Sequence, residues 1–400
     1  MIQSAGYLRQ VKQTNLSGLL KQIWKLEPIS RIELVEAAQL TSGTITNLTQ
    51  DLLQVGLLKE SGLSTGTVGR KRMMLKLNTE RFALVGIDIG RESLEVVATD
   101  LSGKILASTE ASTLGISGPQ QVLEQVSSIV QSMIARVESE AQQVLGIGLG
   151  IPGPMNMQDG TLLMPPNFPN WEHFPVKAEL ERLLGRKVLM HDDARTSALA
   201  ERWFGYGREH TNFVYVTMGH GIGGGVVSGG DVILGSNGLY GQIGHITIIP
   251  DGELCACGNR GCWETVGSIP AILRRWGHGN VTDVTIGGFF EAVDAGDPGA
   301  MRVLESTLQV LESTLTTLFN VYDPDLIILG GKLYAYIDNY LPRLRNHVQS
   351  SVYRFAQSKV AIQSASFGTS QSAVGAAALV FGELMNYPLD VLEQVTQPTA

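Results

Sequence analysis

The chain has 400 residues, 44% of them hydrophobic and 17% charged, with a formal net charge of −8. That length is too great for one small core and argues for two or three domains. No apolar run reaches the roughly 18 residues of a membrane-spanning helix, and the opening MIQSAGYLRQVKQTN holds no apolar stretch of signal-peptide length, so a cytoplasmic chain without membrane insertion is expected.

Charge is unevenly placed. Residues 1–80 carry ten Lys/Arg against six Asp/Glu, a basic head on an acidic body, as nucleic-acid binding would require. In chain order, Leu16, Leu19, Leu20, Ile23 and Trp24 follow the spacing of an amphipathic helix. Ser30 and Glu33 form a capping box that starts a second helix carrying Ile32, Leu34, Val35, Ala37 and Ala38. Thr41 or Ser42 can cap a third, whose inner face is Ile45, Leu48, Leu52 and Val55. Its outer face presents Ser42, Thr44, Thr46, Asn47 and Gln50, short polar side chains able to reach base edges or phosphates. Gly56 ends the helix. Leu57 and Leu58 begin a strand whose partner holds Met73, Leu75 and Leu77, with a loop over 61–69 and Arg70, Lys71 and Arg72 at its edge. Three helices and a basic hairpin make a winged helix-turn-helix over residues 1–80. The alternative is a three-helix accessory or dimerisation domain with a solvated polar face.

From residue 83 the pattern changes. Residues 84–90 are an apolar strand ending in Asp88 and Gly90, and 94–100 read as a second strand. Helical periodicity runs through Val122, Val126, Ile129, Val130, Met133 and Ile134, followed by a buried strand over 145–151 and a Pro152-Gly153-Pro154 turn. Strands and helices alternate thereafter, which defines an α/β class.

All three cysteines lie between 255 and 262 as C-x-C-x4-C. Such clustering points to a metal and not to a disulfide scaffold. With His245 ten residues upstream, Cys255, Cys257 and Cys262 complete a tetrahedral Zn2+ shell with no open position, the signature of a structural ion.

An ordered set of motifs resembles the ROK family (repressors, open reading frames and kinases). It comprises Asp88-Ile89-Gly90, residues 148–154, Pro166-Asn167 with Trp171, Asp193-Ala194 leading to Ala200-Glu201, the glycine run 219–225, residues 241–245, residues 255–264, Asn320, Pro324 and Gly330-Gly331. The resemblance covers about residues 83–385. It implies an actin/hexokinase-like two-lobed ATPase-type fold behind the winged helix-turn-helix, with a first lobe over 83–195, a second over 196–379, and a C-terminal helix at about 380–396 returning to the first. It also implies a sugar site built from Asn167, Asp193, Gln242, His245 and Glu264, with His245 binding zinc through one ring nitrogen and a sugar hydroxyl through the other. Asp193 stands where the family's kinases keep their general base; a turn role for Asn167, an N-cap role for Asp193 and a solvated helix-start role for Glu264 are the plainer readings. Gln242 departs from the usual Glu and leaves the sugar's identity open.

The ATP-handling segments depart further. Arg91-Glu92-Ser93 replaces the kinases' Thr-Lys loop, His220 replaces a Thr, and Arg195 an Asn. A non-enzymatic repressor of carbohydrate uptake or metabolism genes follows, acting as a homodimer or homotetramer on double-stranded operator DNA and released by a sugar or sugar phosphate. An ATP-dependent sugar kinase, and a repressor governed by a sugar-transport protein, are the rival readings.

Overall fold

The computed structural model describes residues 2–64, 71–116, 118–140, 142–165, 168, 170–277, 284–354 and 360–396. The head opens with helix α1 (Ile2–Leu26), α2 (Arg31–Ala38) and α3 (Ser42–Gln54). Leu16, Leu19, Leu20 and Ile23 of α1 bury against Leu34 of α2 and Ile45, Leu48 and Leu52 of α3. The capping box forms as the sequence requires: Glu33 N donates to Ser30 Oγ at 3.4 Å, and Ser30 N donates to Glu33 Oε2 at 2.8 Å. Ser30→Ala should therefore lower the head's unfolding free energy by about 1 kcal/mol; an unchanged denaturation midpoint would contradict this. Thr41 is the α3 cap, and Ser42 is the first helical residue. Ile32 is 54% exposed. It stands two residues from Leu34, roughly 200° around the helix, so both cannot face the core.

β1 (Ile29–Ser30), β2 (Leu58–Leu63) and β3 (Met73–Leu77) form a small antiparallel sheet in the order β1-β3-β2. β2 continues through Leu63, with a register shift between Glu60 and Leu63, so the loop expected from Ser61 starts later.

Among the described residues two five-stranded sheets follow. The first contains β4 (Phe82–Ile89), β5 (Ser93–Thr99), β6 (Ile105–Ser112), β7 (Gln143–Ile151) and β8 (Val188–Asp192) in the order β6-β5-β4-β7-β8. The second contains β9 (Phe213–Met218), β10 (Ile222–Ser228), β11 (Asp231–Val232), β12 (Leu326–Gly330) and β13 (Ile362–Ser364) in the order β11-β10-β9-β12-β13. In each, three antiparallel strands are extended by two parallel ones in the same order. Helix Pro119–Ser139 buries Val122, Val126 and Val130 on the first sheet, and Pro298–Tyr322 covers the second.

Helix Asp193–Phe204 runs between the sheets, against β8, β9 and β10 and against helix Gln371–Asn386. The latter returns to the first sheet and begins at Gln371, earlier than the expected 380, and a separate helix Pro388–Thr396 follows. Its early turns are Ala- and Gly-rich and buried on nearly every side, so they lack the polar stripe that would have marked them as a surface helix.

Candidate metal centre and interlobe cleft

The ligand atoms of His245, Cys255, Cys257 and Cys262 all lie within 4.8 Å of one another. Cys255 Sγ is 3.6 Å from His245 Nδ1, and Cys257 Sγ is 3.7 Å from Cys262 Sγ. Backbone geometry draws them together. His245 closes a short 3-10 turn (Ile243–His245), Thr247 bridges to Cys262, and Gly261 takes φ +67° with its α-carbon packed against the Ile249 carbonyl, where a Cβ would clash. Three sulfurs and one imidazole at this spacing suit a tetrahedral Zn2+. Since Nδ1 faces the sulfurs, Nε2 remains for another partner.

The glycine run 219–225 mostly lies within β10. It is squeezed from two sides. A Cβ on Gly225 would stand 2.5 Å from the Ala198 Cβ of helix Asp193–Phe204, and one on Gly224 would stand 2.8 Å from the Gly241 carbonyl oxygen. Alternation along the strand thus brings the helix carrying Asp193 to one face and the segment carrying Gln242 and His245 to the other. Glu264 closes the end, its Oε2 accepting from Ile222 N at 2.9 Å.

Asp193, Glu264 and His245 are half-buried, and Gln242 is exposed. Burial lifts the Asp193 carboxyl to about 7, aided by the charges of Asp192 and Asp88. Asp193 is not the helix cap; Asp192 is, its Oδ1 accepting from Arg195 N at 3.0 Å. Burial opposes the Asp192 charge, but the His191 ring and the Arg195 guanidinium outweigh it and hold that carboxyl below its usual range. Asn167, along with Arg70 of the hairpin, lies outside the described residues.

Of three further participants, Arg195 and Arg91 stood out in the sequence only as departures from the kinase motifs, and Ser372 gave no signal. Arg195, 2% exposed, pairs with Asp192 Oδ2 at 2.7 Å and donates to the carbonyls of Gly238 and Tyr240, both at 2.8 Å. Arg91 is a second: burial lowers its guanidinium, and the Glu264 and Asp193 carboxylates counter this. Ser372 Oγ donates to Asp88 Oδ1 at 2.6 Å, and burial still raises Asp88 to about 6. His220 Nε2 pairs with Glu92 Oε1 at 3.1 Å, joining the loop after β4 to the loop after β9.

In the head, Ser42, Thr46, Asn47 and Gln50 are exposed on α3, and Thr44 is half-buried. The Thr46 hydroxyl donates to Ser42 O at 2.8 Å and the Thr44 hydroxyl meets that of Thr41 at 2.9 Å. Lys71 and Arg72 are exposed at the hairpin edge. Among the described residues no helix is long and apolar enough to cross a membrane.

The family model described as ROK family matches residues 84–383. The chain belongs to the ROK family. A putative xylose repressor from Caldicellulosiruptor sp. (strain Rt8B.4) is 29% identical over 391 residues, covering 94% of this chain and 98% of that protein. A crystal structure of a ROK family transcriptional regulator, homolog of the E. coli MLC protein, superposes with a TM-score of 0.81 at 26% identity, over 96% of this chain and 99% of that one. A glucokinase from Thermotoga maritima is 31% identical over 265 residues, 63% of this chain and 82% of that protein. The ROK family therefore includes both named repressors and named kinases, and the repressor resemblance extends over nearly the whole chain.

Proposed function

We propose that this ROK protein is a DNA-binding repressor of carbohydrate genes, released by a sugar or sugar phosphate in the cleft between its lobes and without kinase turnover. The observation that carries this reading is the three-helix head with its basic hairpin, because sugar phosphorylation has no use for it. Likeness along nearly the full length to a protein named as a xylose repressor supports the same reading. The Glu92–His220 pair supports the loss of kinase activity, since it places a carboxylate between loops that a kinase would turn toward phosphates.

On this reading α3 enters the major groove with Ser42, Thr44, Thr46, Asn47 and Gln50, while Arg70, Lys71 and Arg72 contact phosphates. Two heads on a two-fold dimer would ask for a pseudo-palindromic operator. Replacing Lys71 and Arg72 together by Ala should weaken binding to all duplexes alike and flatten the slope of log affinity against log salt by about 1 per residue. Filter binding across a salt series reads this, and an unchanged slope would remove the hairpin from the interface.

The cleft residues Asn167, Asp193, Gln242, His245 and Glu264 bind the sugar. Zn2+ held by His245 Nδ1, Cys255, Cys257 and Cys262 braces the loop, and the coordinated His245 keeps Nε2 for a sugar hydroxyl. The test is titration of protein–duplex complexes with D-xylose, D-glucose, N-acetylglucosamine and its 6-phosphate. Release by one of them is expected, and release by no sugar of a wide panel would overturn the inducer. The rival kinase reading draws on the Asp193 carboxyl near 7, which suits a general base. ADP release with the same sugars discriminates, and none is expected.

A further inference from the structure

We infer that helix Asp193–Phe204 is the relay between the cleft and the DNA-binding head, and that Trp203 against Trp24 is where it delivers. This rests on the repressor reading and specifies how that repressor is switched.

Both ends of the helix are fastened to the parts that must communicate. At the N-terminal end, Arg195 is buried and holds three oxygens, those of Asp192 Oδ2, Gly238 O and Tyr240 O. The last two lie immediately before Gln242 and His245 in the chain. Moving that segment without the helix would leave a buried guanidinium or a carbonyl unpaired, which is costly. The segment and the helix therefore move together. Along its length of about 18 Å, the helix packs against helix Gln371–Asn386 so closely that a Cβ on Gly375 would meet the Thr196 carbonyl. Such packing transmits displacement without absorbing it.

At the C-terminal end, the Trp203 ring meets Trp24 of α1 edge-on, with centroids 5.2 Å apart, and Phe381 at 5.3 Å. The Arg202 guanidinium lies 5.5 Å from the Trp24 ring centre and 4.9 Å from that of Trp203, and Arg208 stacks on Trp24 at 4.9 Å. Trp24 is 7% exposed on the helix whose Leu16, Leu20 and Ile23 support α3. Toward its start α1 is tied to the C-terminal helix by Arg9 with Asp390 and Glu393, and its middle is tied by Ser17 Oγ donating to Met385 O at 2.7 Å. With that portion held, a push at Trp24 tilts α1 and so re-aims α3.

Because coupling is reciprocal, duplex binding must be felt in the cleft. The experiment is amide hydrogen exchange on the full-length, zinc-loaded protein, with and without a duplex selected by that protein from a random-sequence pool. In the native protein the duplex should change exchange several-fold in helix Asp193–Phe204 and in residues 238–245. Trp203→Leu should still bind the duplex and lose that distant response. A second variant, Arg202→Met with Arg208→Gln, leaves the buried rings in place and should reduce the response; it decides the matter if Trp203→Leu does not fold. A body indifferent to the duplex in the native protein, or responding fully in the variants, overturns the relay. Failure to select any duplex would instead overturn the repressor reading and take the relay with it.

Discussion

Cys257→Ser is expected to abolish metal retention and sugar response together while most of the body stays folded. Serine is a poor zinc ligand, and three remaining donors cannot close a tetrahedral shell. Structural zinc contributes on the order of 10 kcal/mol in small peptides that fold around it. Here helix Pro119–Ser139 has a core of its own on the first sheet, and the core that packs helix Pro298–Tyr322 on the second takes in Ile243 and Trp263 and is flanked by Ile246 and Ile248, so both ends of the metal loop are anchored by packing without the ion. Disorder should therefore centre on about residues 249–262, between those anchors, where chain direction depends on the Thr247–Cys262 and Leu254–Arg260 bridges and on Gly261. The His245 ring then loses its fixed orientation. Elemental analysis should fall from one zinc per chain to nearly none, with exchange protection lost in that loop and duplex release by sugar gone. A variant that keeps both its metal and its response would refute the site, as would a native, active protein without zinc.

The second large effect is expected from Asp193→Asn, and it has two opposite signs. The folded protein lifts this carboxyl from 3.8 to about 7. Between those values the native state holds a proton that the unfolded chain has released, so stability falls as pH rises through that window. Above about 7 the full cost of a buried charge beside Asp192 and Asp88 is present. Asparagine removes it. The variant should be more stable than the native protein by about 1–2 kcal/mol at pH 8 and no more stable near pH 4. Sugar affinity should fall by about 10- to 100-fold through loss of a charge-assisted hydrogen bond. Thermal melts at the two pH values, with and without sugar, read both effects. An unchanged affinity would remove Asp193 from the sugar site, and equal melting at pH 8 would refute the buried-charge argument.

What was legible in the sequence followed from local chemistry. Ser30 with Glu33, the spacing of Leu16 to Trp24, and C-x-C-x4-C each involve residues within a few positions of one another. The start of helix Gln371–Asn386 was not legible, because burial on nearly all sides leaves no amphipathic period. The role of Arg195 was legible only as a departure from a motif; its partners at Gly238 and Tyr240 lie 43 and 45 positions away, and no pattern announces a carbonyl acceptor. The glycines 223–225 could be counted but not interpreted, since what they admit comes from two other parts of the chain. Which of Ile32 and Leu34 faces the core was not legible either, because in an eight-residue helix two nearby apolar residues can face opposite ways.

The two five-stranded sheets share one strand order, and helix Asp193–Phe204 lies on the seam between them. A binding surface at such a seam belongs to neither half. Lobe loops can then drift to suit a new ligand while the strands that set the frame stay untouched. The first half is completed by helix Gln371–Asn386, which the chain supplies only after the second, so neither half stands apart from the seam.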